Sequence, residues 1–167
     1  RRVLFRSIET SGLAEWIRSS LWGWPVILSL HSLGTALSLG LIFIVLLRLL
    51  GRLRALRFGS LVYFFPAIWA ALLLQALTGA LLWLTKPLEY TSDGAFELKV
   101  LFLAFGLYLL RGLQKSVRIE AAAWDSAGKA PERTVKLAAA ALGLWSAVLI
   151  AGRLTAQDRK STRLNSS

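Results

Sequence analysis

The sequence contains no cysteine and no methionine, and it has one histidine, His31, and four prolines. The absence of cysteine excludes disulfides, thiolate metal sites and cysteine nucleophiles. One histidine without a carboxylate in the apolar stretches is too little for a zinc site, and it leaves no acid to orient a hydrolytic Ser-His pair. The sequence therefore predicts no catalytic residue and no metal site.

Both ends of the chain resemble a translated sequencing-library adapter. Asp158 to Ser167 read DRKSTRLNSS, and Arg1 to Ser7 read RRVLFRS, which the same adapter gives from its reverse complement. We expect residues 1–7 and 158–167 to be adapter-derived flanks of a metagenomic fragment, not native protein. Residues 8–157 then form a single domain, and both native termini are expected to be missing or clipped.

Excluding the two flanks lowers the net positive charge of the sequence. The whole sequence has 20 Lys+Arg against 9 Asp+Glu, a net charge of +11. The flanks hold six of the basic residues and one of the acidic residues, so 14 against 8, or +6, remain. A nucleic-acid partner is not predicted from this charge.

Apolar residues, in contrast, are abundant. They make up 56% of the chain, and its mean hydropathy is +0.59. Four stretches have the length and composition of membrane spans, at about 25–50, 60–85, 96–117 and 134–156. Val26 to Leu47 alone gives 22 residues without a formal charge, and such a helix covers roughly 33 Å. A soluble bundle would show a charged face at a 3.6-residue period, so we predict an all-α bundle of four transmembrane helices.

The sequence leaves the bounds of the second and third spans open. Ser60 is a candidate N-cap of the second, and Pro66 either kinks this helix or marks its true start, with Tyr63 to Phe65 at the interface. The uninterrupted apolar run of the third, Val100 to Leu110, has only 11 residues. Extending it requires Lys99 to snorkel toward water. Its helix is expected to continue into water as far as Trp124, before a turn at 125–128.

The distribution of basic residues orients the bundle. Ten of the 14, among them Arg48, are assigned to the basic loop regions at the ends of the first and third spans, and four lie on the opposite side. The excess predicts cytoplasmic basic loops and both chain ends outside.

A short amphipathic helix is predicted before the first span. Leu13, Trp16, Ile17 and Leu21 recur at helical spacing. This pattern is typical of a helix lying along the membrane surface.

The polar residues of the spans gather in the outer half of the bilayer. His31 is roughly 9 Å and Thr78 roughly 10 Å below the outer ends of their helices. Small residues beside them allow two helices to approach closely. The candidates for a polar pocket are His31, Thr35, Gln75, Thr78, Lys99 and Arg153. Either these groups satisfy one another and fix helix register, or they form an outward-facing pocket whose basic residues favour an anion.

A b-type haem is a further alternative, with His31 as the cofactor-binding residue. Such a haem usually has two axial ligands, whereas this chain offers one histidine and no methionine or cysteine. A bis-histidine site would require two copies of the chain. The sequence therefore does not favour haem.

Four strings together resemble a known family. They are LWGWPVILSLHSLGTALSLG, PAIWAALLLQALTGALLW, FELKVLFLAFG and AAAWDSAGKAPERTVKLAAAALGLWSAVLIAGRL. They resemble a family of small bacterial four-helix inner-membrane proteins known as a domain of unknown function, and the likeness covers nearly all of residues 8–157. The family-type positions that it implies are His31, Trp69, Thr78-Gly79, Lys99, Trp124-Asp125, Trp145 and Gly152-Arg153. Relatives often carry Asn and His near the inner end of the third span, where this chain has Tyr108 to Arg111.

These patterns predict a protein of the bacterial inner membrane that is not an enzyme. Its outward-facing pocket would bind a small anionic ligand or a membrane partner, including a second copy of the chain. The alternatives are a b-haem electron-transfer protein and a small transport component. The bilayer itself is the one partner that composition requires.

Overall fold

The computed structural model describes residues 10–87 and 94–164, and it describes the side chains of these residues except Ala95 and 151–164. All regular structure in these ranges is helical, without a strand. The elements are α1 (Gly12–Ser19), α2 (Gly23–Leu49), a 3₁₀ helix (Gly59–Tyr63), α3 (Phe64–Thr85), α4 (Gly94–Ala127) and α5 (Glu132–Leu164).

Three helical segments are long and apolar enough to cross a membrane. They are Gly23–Leu49, Gly59–Thr85 and Glu132–Ile150. These segments indicate a membrane protein and confirm the all-α prediction. Helix α4 is not one of the three. The fourth span thus stays a prediction.

A single glycine, Gly51, determines where α2 ends. Gly51 has a φ of +77°, which is accessible to a residue without a Cβ. The N–H of Arg52 donates to the carbonyl of Leu47 at 2.9 Å, and that of Gly51 to the carbonyl of Arg48 at 3.0 Å. This pair of bonds is a Schellman motif, which satisfies the last carbonyls of the helix.

Pro66 is tolerated in α3 because it lies close to the start of the helix. A 3₁₀ helix occupies Gly59–Tyr63, and the α-helix begins at Phe64. Pro66 therefore lies in the first α-helical turn, where a backbone N–H has no partner within the helix. Ser60 lies inside the 3₁₀ helix, so its assignment as the N-cap was wrong.

Helix α1 packs on α3. Of the predicted apolar set only Ile17 is buried, together with Ala14, whereas Leu13, Trp16 and Leu21 are exposed. Ser11 caps the helix by accepting a hydrogen bond from the N–H of Ala14 at 3.4 Å. At the other end, Arg18 donates from Nη1 to the carbonyl of Thr85 at 3.4 Å, which joins α1 to the end of α3.

Helices α4 and α5 form an antiparallel pair. Helix α4 runs past the expected turn to Ala127, and Gly128, at a φ of +68°, separates it from α5. The two helices pack on each other along buried small and aliphatic side chains. These are Leu113, Val117 and Ala121 on α4 and Ala138 and Ala141 on α5.

The contacts divide the chain into two compact units. The first unit comprises Arg1–Ile42 and Tyr63–Asp93, and the second comprises Phe43–Val62 and Gly94–Ser167. The first thus holds α1, most of α2, and α3. The second holds the end of α2, the loop that follows, and α4 with α5.

Candidate functional site

The polar seam of the first unit lies between α2 and α3, and two glycines determine how closely these helices approach. A Cβ at Gly34 would lie 3.2 Å from the backbone N and 3.3 Å from the backbone O of residues on α3, Gln75 and Ala71 respectively. A Cβ at Gly79 would lie 3.2 Å from Cε1 of His31. The absence of both side chains therefore allows the histidine ring to lie against the backbone of α3.

The hydrogen bonds of His31 define which ring nitrogen carries the proton. Nδ1 lies 3.1 Å from the carbonyl O of Gln75 and 3.1 Å from Oγ1 of Thr78. The Thr78 hydroxyl donates to the carbonyl of Leu74 at 2.7 Å. A carbonyl only accepts, and the one hydroxyl proton is engaged, so both contacts require the His31 Nδ1–H to donate. The lone pair of the neutral ring is then on Nε2.

The seam continues one turn along α2. Ser38, which is fully buried, donates to Oε1 of Gln75 at 3.1 Å. Thr35 donates to the carbonyl of His31 at 2.8 Å, within its own helix. The structure thus brings together His31, Gln75 and Thr78 from the predicted set, adds Ser38, and engages the Thr35 hydroxyl with the α2 backbone. Unsatisfied polar groups are costly in an apolar medium, so these bonds fix the register of the two helices.

The two basic candidates belong to the second unit. Lys99 is half-buried on α4. Arg153 lies on α5, where its side chain is outside the described residues. A pocket that joins them to His31 stays a prediction.

A second polar centre, which we call the loop cluster, consists of Arg48, Phe58, Trp124 and Asp125. Both carboxylate oxygens of Asp125 accept backbone hydrogen bonds, from the N–H of Phe58 at 2.7 Å and from that of Gly59 at 3.0 Å. Asp125, at the end of α4, therefore caps the 3₁₀ helix that leads into α3. Ser60 had been the candidate N-cap of the second span, whereas the N-cap of α3 is Tyr63, which makes no side-chain capping hydrogen bond.

Arg48 contributes a hydrogen bond and a ring contact to the loop cluster. Its Nε donates to the carbonyl of Leu56, and its guanidinium carbon lies 3.6 Å from the centroid of the Phe58 ring. Phe58 meets Trp124 edge to face, with ring centroids 5.8 Å apart. The side chain of Arg48 is buried. A charge that the sequence analysis counted as a loop cation is therefore part of a packed cluster, stabilised by a cation–π contact.

The electrostatics of Asp125 follow from these contacts. Partial desolvation acts to raise the pKa of its carboxyl group, but the hydrogen bonds from Gly59 and Phe58, with the charges of Arg57 and Arg48, outweigh it. The pKa of Asp125 is consequently below its ordinary value. The carboxylate stays ionised at neutral pH, as an acceptor of two backbone N–H groups must.

Sequence reasoning missed the loop cluster because its members are far apart in the chain. Phe58 and Asp125 are separated by 67 residues. The one available signal was the Trp124-Asp125 pair in the family resemblance, which carries no information on its partners. The aspartate had been interpreted as the start of a turn.

Trp145, another position of the resemblance, joins α5 to α4. Its side chain is buried, and a Cβ at Gly106 would lie 3.0 Å from its Cζ2. Its Nε1 is buried without a hydrogen-bond partner among the described residues. The glycine therefore provides the space that the indole ring occupies on the backbone of α4.

The described residues contain no group of three or more His, Cys, Asp or Glu side chains that could hold a metal ion. No protein-family model, curated protein or solved structure matches the chain.

Proposed function

We propose that this chain is a non-enzymatic integral membrane protein with four spans, the fourth provided by α4, and that it resides in a bacterial inner membrane. The exposed apolar residues of α4 support this assignment. Leu101, Phe105 and Tyr108 are 64%, 53% and 72% exposed, and their spacing places them on one face of the helix. An apolar stripe of this kind on a helix beside a membrane span is explained by contact with lipid.

The absence of cysteine provides a direct test of this topology. Lys86 precedes α4 and Lys129 follows it, so each can be replaced by cysteine as the only thiol in the chain. In intact cells, a membrane-impermeant maleimide should label Lys86→Cys, and it should label Lys129→Cys only after permeabilisation. Equal labelling of both variants in intact cells would show that α4 does not cross the bilayer.

Within this bundle, we propose that the seam around His31 binds a small anionic ligand or a membrane partner. The observation that carries the proposal is the fixed ring of His31, whose Nδ1–H donates to the α3 backbone and to Thr78. An anion at this ring would require the imidazolium form, in which Nε2 also carries a proton and donates. Ionisable groups inside a membrane are costly, and an oriented one is a functional candidate. The surplus of basic residues, including Lys99 and Arg153, favours an anion.

Recovery of a co-purifying compound tests this binding role. The chain is purified in uncharged detergent and the extract is analysed by mass spectrometry for small anions. We expect one compound in near-stoichiometric amount with the unaltered chain and with Ser32→Ala, and its loss with His31→Gln. Ser32 is an exposed neighbour whose hydroxyl donates to the carbonyl of Leu28 in its own helix. Equal recovery from both variants, or no compound from any of them, would refute an anion site at His31.

The same geometry gives haem b a specific observation in its favour. A metal-ligating histidine usually donates its second ring N–H to a carbonyl or carboxylate, which orients the other nitrogen toward the metal. The Nδ1–H of His31 makes such a bond with Gln75. Two copies of the chain would then supply both axial ligands. An absorption spectrum separates the candidates, since haem predicts a Soret band that is lost in His31→Ala, and a colourless protein would contradict it.

A further inference from the structure

A groove between α4 and α5 concentrates positive charge within the second unit. Its cavity has a volume of about 900 Å³. Four basic side chains line it, Arg111, Lys115 and Arg118 from α4 and Arg133 from the first turn of α5. None of the described residues that line this groove is acidic.

The spacing of these residues places their charges together. Arg111, Lys115 and Arg118 follow one another at i, i+4 and i+7, and therefore share one face of α4. Like charges at this spacing destabilise a helix. An anion with several oxygen acceptors would offset this repulsion, and guanidinium groups match the geometry of phosphate oxygens.

The composition of the groove changes along its length. On α4, Tyr108 and Leu109 line the groove ahead of the three basic residues of this helix, whereas on α5 Leu137 lies one turn beyond Arg133. The uninterrupted apolar run of α4 ends at Leu110, immediately before Arg111. The groove thus lies where the apolar segment ends and the basic segment begins. A phospholipid has a matching arrangement, with an anionic headgroup phosphate next to an apolar acyl chain.

We propose that this groove binds the phosphate of an anionic phospholipid, with Arg111, Lys115, Arg118 and Arg133 around the headgroup and Tyr108 and Leu109 beside the acyl chain. Anionic lipids are enriched where basic loops of membrane proteins lie. The site is separate from the His31 seam, and neither proposal depends on the other.

The test compares two double variants that remove the same charge. Arg118→Gln with Arg133→Gln removes two cations from the groove. Arg52→Gln with Lys129→Gln removes two exposed cations that do not line it. Native mass spectrometry of the full chain in uncharged detergent measures retention of phosphatidylglycerol against phosphatidylcholine with the same acyl chains. Without added lipid, the groove variant should be no less stable to thermal unfolding than the unaltered chain, because the substitutions relieve like-charge repulsion.

We expect the unaltered chain to prefer phosphatidylglycerol. A hydrogen bond to a charged group contributes about tenfold or more to affinity, so the groove variant should lose about 100-fold and the control about twofold or less. An equal loss in both variants would show a general surface effect and overturn the proposal. Displacement of the lipid by an excess of inorganic phosphate, with the same dependence on Arg118 and Arg133, would assign the groove to soluble phosphate instead. Persistence of the lipid under that excess supports the phospholipid.

Discussion

Replacement of Asp125 by alanine should loosen the connection between the end of α4 and the start of the 3₁₀ helix. The carboxylate accepts hydrogen bonds from the N–H groups of Phe58 and Gly59 at 2.7 and 3.0 Å. Phe58 is almost completely buried, with 1% of its surface exposed. Loss of the acceptor therefore leaves at least one N–H without full access to water.

The expected cost follows from the kind of bond that is lost. Removing a capping side chain costs about 0.5–2 kcal/mol, and a hydrogen bond to a charged group contributes roughly 1.5–3 kcal/mol. We expect Asp125→Ala to lower the free energy of unfolding by about 2–3 kcal/mol. Asp125→Asn keeps one acceptor oxygen and should lose about half as much.

Two measurements check this prediction. Titration with sodium dodecyl sulfate in mixed micelles, followed by circular dichroism, gives the change in unfolding free energy. Amide hydrogen exchange reports on Phe58 and Gly59 directly, and both should exchange faster in Asp125→Ala. Glu120→Ala, an exposed residue on the same helix, is the control and should change stability by about 0.5 kcal/mol or less. Unchanged exchange at Phe58 and Gly59 would refute the role of Asp125 as their cap.

Acidification should remove the stabilisation that ionised Asp125 gives to the folded chain. The pKa of Asp125 is lower in the folded chain than its ordinary value, so ionisation stabilises the fold above the unfolded pKa of about 3.9. This contribution is lost as the pH falls through the folded pKa. The stability difference between the unaltered chain and Asp125→Asn should therefore be constant near neutral pH and shrink below about pH 4. A difference that grows on acidification would contradict the assigned sign.

The remaining predictions concern glycines at which helices touch. Gly34→Ala places a methyl group 3.2 Å from the backbone nitrogen of Gln75 and should lower the free energy of unfolding by about 1–3 kcal/mol. Its control is Gly40→Ala, where the added methyl group meets no atom within 4 Å. This variant should be neutral or stabilising by up to about 1 kcal/mol. Gly106→Ala meets the ring of Trp145 at 3.0 Å and should shift the tryptophan fluorescence maximum as well as lower stability. Gly112→Ala on the same helix has open space and should do neither. Equal effects within either pair would show that the contacts at Gly34 or Gly106 do not limit packing.

Sequence reasoning predicted the features that depend on local composition. Helix type and three candidate spans follow from long apolar runs, because backbone groups in hydrocarbon must be satisfied within the helix. The end of α2 also has a local signal, because the left-handed conformation in its Schellman motif favours glycine, the residue at position 51. The small and polar residues on facing sides of α2 and α3 predicted a close approach of these helices, because amides avoid lipid.

Only the tertiary structure decided which groups meet. The proton on Nδ1 of His31 depends on a backbone carbonyl of another helix, and no pattern within α2 specifies it. Arg48 and Asp125 had been interpreted as a loop cation and a turn residue, because each is surrounded in sequence by residues typical of those roles. Hydrogen bonds and cation–π contacts between residues distant in sequence are set by the packing of whole helices. A one-dimensional sequence gives the preference of each segment for lipid or water, and it leaves such partners open.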